Sequence, residues 1–326
     1  MLTDNQILNS AKQTIKIEVE SLKGLIPLLN QDFINAAKAV YSCKGRLIVS
    51  GIGKSANVAH KIVATLNSTG TPAVFMHAAD AIHGDLGIVL EDDIVMLLSN
   101  SGNSPEIRSL LPFIQSRGNL VIGVVGNMES DLGQKSDWIL NASIEREACS
   151  NNLAPTSSTT AQMALGDALA VALIKMRGFT STDFAKSHPG GSLGKKMYLK
   201  IDDLASKNEK PRVSPDAKIN EVIYEMSSKR LGATAVVKGR KVIGIITDGD
   251  IRRMIEKTKD LSNVKAFDIM GTNPVILPTG TLGSEAIKII NQKNITQIVV
   301  TDQHGFYFGM IHLHDLINEG ISEEDK

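Results

Sequence analysis

Hydroxyl-rich loops occur three times in the first half of the chain, each time before a helical stretch. Apolar β-like runs precede the first two loops, residues 50–55 and 99–104, and the third, residues 154–160, begins an alanine-rich helix pattern. Backbone N–H groups at a helix N-terminus, with Ser and Thr hydroxyls beside them, match the oxygens of a phosphate monoester. Loops at the carboxyl ends of parallel strands also converge on one crevice. The spacing therefore predicts a binding site for a small phosphorylated molecule.

Such hydroxyls also have an ordinary structural use. Ser and Thr commonly cap helices by accepting hydrogen bonds from backbone N–H groups, and that use would explain a single loop of this kind. Three loops that converge on one crevice favour a ligand instead. The hydroxyls that we assign to phosphate are those of Ser55, Ser99, Ser101, Ser104, Thr156, Ser157, Ser158 and Thr159.

The elements that must position these loops alternate along the chain. A helical pattern over residues 5–43 is followed by five short apolar runs, with helix-length stretches between most of them. Alternating strands and helices form a parallel sheet covered on both faces, so the pattern predicts a three-layer α/β domain. The predicted strands are 46–50, 73–76, 94–98, 120–125 and 138–142, and the predicted helices are 55–68, 105–117, 129–136 and 158–177.

The pattern of strand-like and helix-like stretches changes near residue 200, and a unit of about fifty residues then occurs twice. A polar stretch that contains a proline, residues 206–211, is predicted to be a linker. Each copy contains a helix, two short strands and a turn that leads into a second helix, as is typical of a small α+β module. The elements are 219–229, 234–237, 242–246 and 251–257 in the first copy, and 282–293, 297–300, 308–311 and 316–319 in the second.

Composition narrows the class of protein. The 326 residues contain 35 basic and 35 acidic side chains, which argues against a nucleic-acid partner because such proteins usually show a basic face. The two cysteines, Cys43 and Cys149, are far apart and suit a reduced cytosolic protein. The sequence starts without a basic leader and apolar core, and no apolar run approaches the ~20 residues that span a bilayer. We therefore expect a cytoplasmic protein without a membrane partner.

Four stretches carry a resemblance to known families. They are residues 50–55, 81–87, 154–160 and 187–194. With them, the first part of the chain resembles a sugar isomerase (SIS) domain, and the repeat resembles a pair of cystathionine-β-synthase (CBS) domains. Over essentially its whole length the chain is similar to the bacterial arabinose-5-phosphate isomerases of the Kdo pathway. The domains that this resemblance implies are an SIS domain at 1–200 and CBS domains at 201–262 and 263–326.

The resemblance implies an aldose–ketose isomerase that interconverts D-ribulose 5-phosphate and D-arabinose 5-phosphate, the first step of Kdo synthesis for lipopolysaccharide. In such a reaction a base takes a proton from the carbon next to the carbonyl group, and the site stabilises the enediol oxyanion that develops. This chemistry requires no cofactor. The four catalytic groups of the family match Lys54, Glu106, Glu147 and His188.

The resemblance also implies further binding residues. His83 is placed among the substrate contacts, and His77 stands at a position for a divalent metal such as zinc. In the first CBS copy, Thr247 and Asp250 match the signature that binds the ribose of a nucleotide or sugar-nucleotide effector, whereas the second copy has His312 in place of the threonine. The complete expected set of substrate-binding residues is Ser50, Gly51, Ser55, Gly70, Thr71, His83, Ser99, Ser101, Ser104, Thr156, Ser157, Ser158 and Thr159.

SIS domains commonly share their active sites between subunits, so the resemblance implies a homotetramer in which His188 comes from a neighbouring chain. Either Glu106 or Glu147 can be the base. Three alternative functions remain open: a non-catalytic sensor of a sugar phosphate and a nucleotide, an isomerase of hexose or amino-sugar phosphates, and an isomerase of a capsule pathway.

Overall fold

The computed structural model describes residues 2–258 and 260–322. The chain divides between Ser187 and His188 into two units, each with hydrophobic cores of its own. The first unit is a three-layer α/β domain, and the second is built from the two copies of the repeat.

Five parallel strands form the central sheet of the first unit, in the order β2-β1-β3-β4-β5. The predicted parallel sheet with flanking helices is therefore confirmed. The strands are β1 Leu47–Gly51, β2 Ala73–His77, β3 Ile94–Ser99, β4 Val121–Val125 and β5 Trp138–Asn141. The helices are α1 Asp4–Leu25, α2 Gln31–Ser42, α3 Lys54–Ser68, α4 Ala78–Ala81, α5 Pro105–Ser116, α6 Asp131–Lys135, α7 Ser157–Arg177 and α8 Ser181–Ser187, with short 3-10 turns at Ile26–Leu28 and Asp85–Ile88.

Helices cover both faces of this sheet, which explains why its central strands are apolar at nearly every position. Every residue of β1, β3 and β4 is buried. Helices α2, α3 and α7 pack on one face, and α4, α5 and α6 pack on the other. A strand buried on both faces reads as a continuous apolar run rather than as an alternating one.

Helices α3 and α7 pack closely and run in the same direction. Ser55 contacts Gln162, and Lys61, further along α3, forms an ion pair with Asp167, further along α7. Their N-terminal ends consequently lie beside each other. A glycine, Gly166, makes this close approach possible, because a Cβ atom there would lie 2.5 Å from Ile62 Cδ1.

We expect the G166A variant to be less stable than wild type by roughly 1–3 kcal/mol, the usual cost of an overpacked core. Ile62 is fully buried and has little room to move away from the added methyl group. The measurement is the urea midpoint of unfolding. The matched control is G24A, since Gly24 lies within α1 with no atom within 4 Å of an added Cβ, and alanine there should stabilise by up to ~1 kcal/mol. Equal midpoints for G166A and G24A would contradict the packing argument.

The second unit contains two three-stranded sheets, ordered β6-β7-β8 and β11-β10-β9, each with one parallel and one antiparallel pair. The strands are β6 Arg212–Val213, β7 Ala233–Lys238, β8 Lys241–Thr247, β9 Ile276–Pro278, β10 Gln297–Thr301 and β11 Tyr307–His312. The helices are α9 Ser192–Tyr198, α10 Ile201–Lys207, α11 Ile219–Lys229, α12 Asp248–Lys257, α13 Ala266–Ile269, α14 Gly283–Lys293 and α15 Leu313–Asn318.

The short helix that precedes each copy packs in the core of the other copy. Ile201 and Leu204 of α10 lie in the core built by α14, β10 and β11, whereas Ala266 of α13 lies in the core of the first copy. Helix α10 ends at Lys207, with Leu204 and Ala205 buried, so the polar linker begins at Asn208 rather than at residue 206. Among the described helices, none combines the length and apolar character needed to cross a membrane.

Candidate functional site

The direction of strand connection reverses between β1 and β3. The β1 strand continues through α3 to β2 on one side, whereas β3 continues through α5 to β4 on the other. In open α/β sheets the crevice outside the carboxyl ends at such a reversal is the usual ligand site. Strand pairing aligns Gly51 with His77 and with Leu98, so the loops that follow β1, β2 and β3 begin side by side.

The N-terminus of α3 presents free backbone donors at this crevice. The first helical hydrogen bond joins the N–H of Asn57 to the carbonyl of Gly53, so the N–H groups of Lys54, Ser55 and Ala56 have no helical partner. Gly53 has a φ of 57°, a left-handed conformation that favours glycine, and it has no side chain to cap the helix. The exposed Lys54 adds a positive charge at this end. An anion is therefore stabilised here both by hydrogen bonds and by charge.

Buried hydroxyls lie near the same strand and helix ends. The Oγ atoms of Ser50, Ser104 and Ser157 are buried and have no hydrogen-bond partner among the described residues. Ser50 is on β1, Ser104 precedes α5, and Ser157 begins α7. Buried polar atoms are normally satisfied, so these three hydroxyls are available to water or a ligand.

Other predicted phosphate hydroxyls shape the loop after β3. Ser99 Oγ accepts a hydrogen bond from the N–H of Gly102 at 3.1 Å, and Ser101 Oγ accepts one from Asn103 at 3.4 Å. Asn103 Oδ1 in turn accepts from the N–H of Asp131, the first residue of α6, at 2.9 Å. These contacts hold the loop in the conformation that leads into α5.

Glu106 follows this loop as the second residue of α5. Its side chain is half-buried and has no hydrogen-bond or ion-pair partner within residues 2–258 and 260–322. Both of its carboxylate oxygens are therefore available to a substrate.

Glu147 is in a contrasting environment, because its carboxylate caps the N-terminus of α7. Its Oε2 accepts hydrogen bonds from Thr156 N–H at 2.8 Å, Thr156 Oγ1 at 3.0 Å and Ser158 N–H at 3.2 Å. The backbone N–H of Glu147 also donates to Asn152 Oδ1 at 2.7 Å. Partial burial raises the pKa of Glu147, but the hydrogen bonds from Ser158 and Thr156 outweigh it, and the net pKa lies below the ordinary value of 4.5. Glu147 is thus a fixed, ionised carboxylate near neutral pH.

This contact changes the interpretation of the third hydroxyl-rich loop. Thr156 uses its hydroxyl and N–H to hold Glu147, and Thr159 Oγ1 donates to the carbonyl of Thr156 at 2.9 Å. A phosphate dianion at the same donors would have to displace a carboxylate of the chain itself. The donors at α3 and α5 are therefore better placed for phosphate than those at α7.

Sequence patterns missed two residues at this site. Asn152, which accepts from Glu147, has a φ of 53°, and Gln162 accepts a hydrogen bond from Ser55. An asparagine in a polar loop carries a weak signal, since asparagine tolerates a left-handed conformation. A glutamine at a helix position among small and apolar residues carries a clearer one, because a polar side chain that faces a core needs a partner.

Gly70 and Thr71 lie away from the crevice. They connect α3 to the start of β2, which is the amino edge of a parallel sheet, whereas the other loops follow the carboxyl ends. Gly70 packs on Phe179, since an added Cβ there would come within 2.7 Å of its ring, and Thr71 is buried. Within one chain the two residues are therefore not grouped with the loops of the crevice, and their contact with substrate stays a prediction.

His188 is the first residue of the second unit and follows α8 directly. Its carbonyl accepts a hydrogen bond from the N–H of Gly191 at 3.1 Å, which forms the tight turn expected after a His-Pro-Gly-Gly sequence. The other three predicted catalytic residues, Lys54, Glu106 and Glu147, belong to the first unit.

The expected metal position has a small donor set. His77 Nδ1 lies 3.5 Å from Asp80 Oδ2, and His83 is exposed. Within the described part of the chain, no three His, Cys, Asp or Glu side chains are grouped closely enough to hold a metal ion. Two donors do not fit a zinc site, which normally takes three or four protein ligands.

The residues predicted to bind ribose form a capping box at the start of α12. Thr247 donates to Asp250 Oδ2 from its N–H at 2.8 Å and from its Oγ1 at 2.7 Å, and Arg253 donates to Asp250 Oδ1 at 2.6 Å. In the second copy, His312 replaces the threonine, and its Nδ1 accepts a hydrogen bond from the N–H of His314 at 3.1 Å. The two copies therefore present different chemistry at equivalent helix starts.

A cleft of about 620 Å³ lies between these two helix starts, within the second unit. Charged side chains and two histidines line it together with apolar and small residues. The full lining is Met226, Ser227, Arg230, Leu231, Gly232, Asp248, His312, His314 and Asp315.

Comparisons with known proteins cover nearly the whole chain. The SIS domain family matches residues 40–172, and the CBS domain family matches residues 201–257 and 266–321. The arabinose 5-phosphate isomerase KdsD of Yersinia pestis is 42% identical over 314 residues, which are 96% of this chain and 95% of that protein. The protein of the same name from Pseudomonas aeruginosa is 42% identical over 316 residues, or 96% and 97% of the two chains.

Solved structures extend the likeness to the fold of the first unit. A protein of Escherichia coli CFT073 in complex with arabinose 5-phosphate has a TM-score of 0.56 and 36% identity, and the match covers 58% of this chain and all of that one. A sugar-phosphate isomerase candidate from Listeria monocytogenes has the same TM-score at 30% identity, again over 58% of this chain and all of the other. With an SIS domain, two CBS domains and 42% identity over nearly its full length, the chain belongs to the arabinose 5-phosphate isomerase family.

Proposed function

We propose that the protein interconverts D-ribulose 5-phosphate and D-arabinose 5-phosphate in the cytoplasm, at the first step of Kdo synthesis for lipopolysaccharide. The observation that carries this proposal is the crevice between β1 and β3, where free helix donors and Lys54 stand close in the fold to a helix that carries Glu106. The chain is similar over 96% of its length to proteins named arabinose 5-phosphate isomerase, and this similarity supports the same reaction.

Substrate binding begins with the phosphate. The free N–H groups of α3 and the buried hydroxyls of Ser50 and Ser104 offer hydrogen bonds to its oxygens. The phosphate is remote from the reacting carbons, so its binding energy is the same in the ground state and in the transition state. This binding energy serves to orient the sugar.

The proton transfer then takes place at C1 and C2 of the sugar. A glutamate removes the proton from C2 of the open-chain aldose, the C1 carbonyl becomes an enediol oxygen, and the same proton or one from solvent returns to C1 to give the ketose. Glu106 has both oxygens available, and Glu147 is ionised by its position at α7. His188 moves the remaining proton between O1 and O2 and opens the sugar ring.

No step requires a metal or other cofactor, since every bond change is a proton transfer coupled to movement of a carbonyl. The pair of His77 and Asp80 is too small a donor set for zinc, and we assign it no step. Lys54 supplies the positive charge that the enediolate needs.

We also propose that the chain assembles as a homotetramer. Helix α1 supports this, because Leu25 is its only buried residue whereas Ile7, Ile15 and Val19 are 56%, 62% and 42% exposed. An apolar helix face of this kind is typical of an interface between proteins. For the CBS pair we propose a nucleotide or sugar-nucleotide effector that binds at Thr247 and Asp250. We propose no nucleic-acid or membrane partner for the protein.

The experiment that tests the reaction is incubation of the purified protein with arabinose 5-phosphate in D2O with EDTA, followed by NMR. Ribulose 5-phosphate with deuterium at C1, together with arabinose 5-phosphate that has gained deuterium at C2, is the expected result. Tight binding of the sugar phosphate without conversion or exchange would contradict the proposal and favour a sensor. A faster reaction with a hexose or amino-sugar phosphate would correct the substrate.

The same exchange measurement separates the two glutamates. A variant that lacks the carbon base loses deuterium incorporation, so E106Q and E147Q are compared under identical conditions. The variant with the lower exchange rate at carbon identifies the base.

A further inference from the structure

Gln162 is a buried polar residue that the chemistry above leaves without a role. It lies in the second turn of α7, and its side chain is 1% exposed. Its Oε1 accepts a hydrogen bond from Ser55 Oγ at 3.0 Å. The Nε2 end of the same amide is buried and has no hydrogen-bond partner among the described residues.

A buried amide whose oxygen has a hydrogen-bond partner and whose nitrogen has none is uncommon in a protein interior. A buried donor without an acceptor loses the hydrogen bonds that it made to water when the chain was unfolded. Native structures therefore supply such a group with a partner, which is a protein atom, an ordered water or a ligand.

The position of Gln162 connects two parts of the candidate site. Ser55 is the second residue of α3 and follows Lys54, whereas Ser158, four residues before Gln162 on the same face of α7, donates its N–H to Glu147. The amide thus lies between the helix that begins with Lys54 and the helix that Glu147 caps. The hydroxyl of Ser157, at the start of α7, is a second fully buried polar group without a partner among the described residues.

We propose that Gln162 contacts the bound sugar phosphate: its Oε1 fixes the hydroxyl of Ser55, and its Nε2 donates a hydrogen bond to an oxygen of the substrate. This inference rests on the proposed function, which makes the ligand a sugar phosphate. Both a sugar hydroxyl and a phosphate oxygen can accept from Nε2, and the experiment distinguishes them.

The test measures the Kd of arabinose 5-phosphate by calorimetry for wild type, Q162L, Q162E and S55A. Q162L removes both contacts and is expected to weaken binding about tenfold, the scale of a lost buried hydrogen bond. Q162E keeps an acceptor for Ser55 but loses the donor and brings a negative charge towards a dianion, so it should weaken binding further. S55A leaves Nε2 in place and should have a smaller effect than Q162L.

Inorganic phosphate as a second ligand locates the acceptor. If Nε2 contacts the phosphate group, Q162L weakens inorganic phosphate and sugar phosphate alike; if it contacts a sugar hydroxyl, only the sugar phosphate is affected. The control is Q292L, the same substitution at an exposed helical position of the second unit, which should bind as wild type does. Thermal unfolding confirms that each variant is folded.

Binding of both ligands within about twofold of wild type in folded Q162L and Q162E would overturn the inference, since the amide would then hold only an internal water. Because Kd is measured directly, this outcome is separate from the failure of the proposed function. A wild-type protein that binds arabinose 5-phosphate without isomerising it would contradict the function and still test Gln162.

Discussion

The E147Q variant is expected to isomerise arabinose 5-phosphate at least about a hundredfold more slowly than wild type, the scale of a lost acid–base group. Glutamine keeps a carbonyl oxygen that can accept the hydrogen bonds from Thr156 and Ser158, so the cap on α7 is retained. It lacks the negative charge and cannot take up a proton. The measurement is kcat, with the thermal midpoint as a check on folding.

The matched control for this prediction is E145Q. Glu145 is an exposed acid two residues earlier in the same loop, and a change there should leave kcat within about twofold of wild type, as at other surface positions. Near-normal turnover by a folded E147Q protein would show that Glu147 is only a helix cap.

Stability should also depend on Glu147, and its pH dependence has a defined sign. The pKa of Glu147 is lower in the folded protein than its ordinary value of 4.5, so the ionised cap stabilises the fold above that pH. This stabilisation is lost as the pH falls from 4.5 through the lower folded pKa. The difference in urea midpoint between wild type and E147Q should therefore be largest near neutral pH and shrink in acid. A difference that grows below pH 4.5 would contradict the direction of the shift.

The H188A variant is the second substitution for which we expect a loss of at least about a hundredfold in turnover. An imidazole exchanges protons near neutral pH, and the tight turn at Gly191 holds His188 at the beginning of the second unit. Alanine removes the proton carrier and leaves the backbone of the turn unchanged. The measurement is kcat. NMR follows the open-chain and ring forms of the sugar in the same reaction.

Mixing H188A with E147Q tests whether the active site is shared between subunits. If His188 of one subunit completes the site of another, mixed assemblies contain some sites with both wild-type residues. Random pairing then restores on the order of a quarter of wild-type activity. No recovery after denaturation and joint refolding would place His188 and Glu147 of the same chain in one site.

Local patterns were sufficient for most secondary structure. The predicted helix at 219–229 has the bounds of α11, and the predicted strands of the first unit agree with the observed ones to within a residue or two. Apolar runs bounded by turn residues are local signals, and each is long enough to be recognised. The short helices α4, α8, α9, α10 and α13 were not predicted, because four to seven residues show little periodicity.

Contacts between distant residues were beyond such patterns. The sequence marked the loop at 154–160 as a phosphate site, and the structure shows that Glu147 takes the N–H groups of Thr156 and Ser158 and the hydroxyl of Thr156, because the intervening loop folds back through Asn152. Gly70 and Thr71, which were predicted to bind substrate, follow a helix rather than a strand and lie at the amino edge of the sheet, and their role in binding stays a prediction.

The sequence by itself determined the class of protein and the kinds of groups at its site. Hydroxyl-rich loops after apolar strands, a repeat of about fifty residues and four family stretches indicated a sugar-phosphate isomerase with a CBS pair. The tertiary structure decided which of those groups are free. Whether a hydroxyl or carboxylate is available depends on what folds against it, so Glu147 is bound by α7, Glu106 has no partner among the described residues, and Gln162 joins α3 to α7.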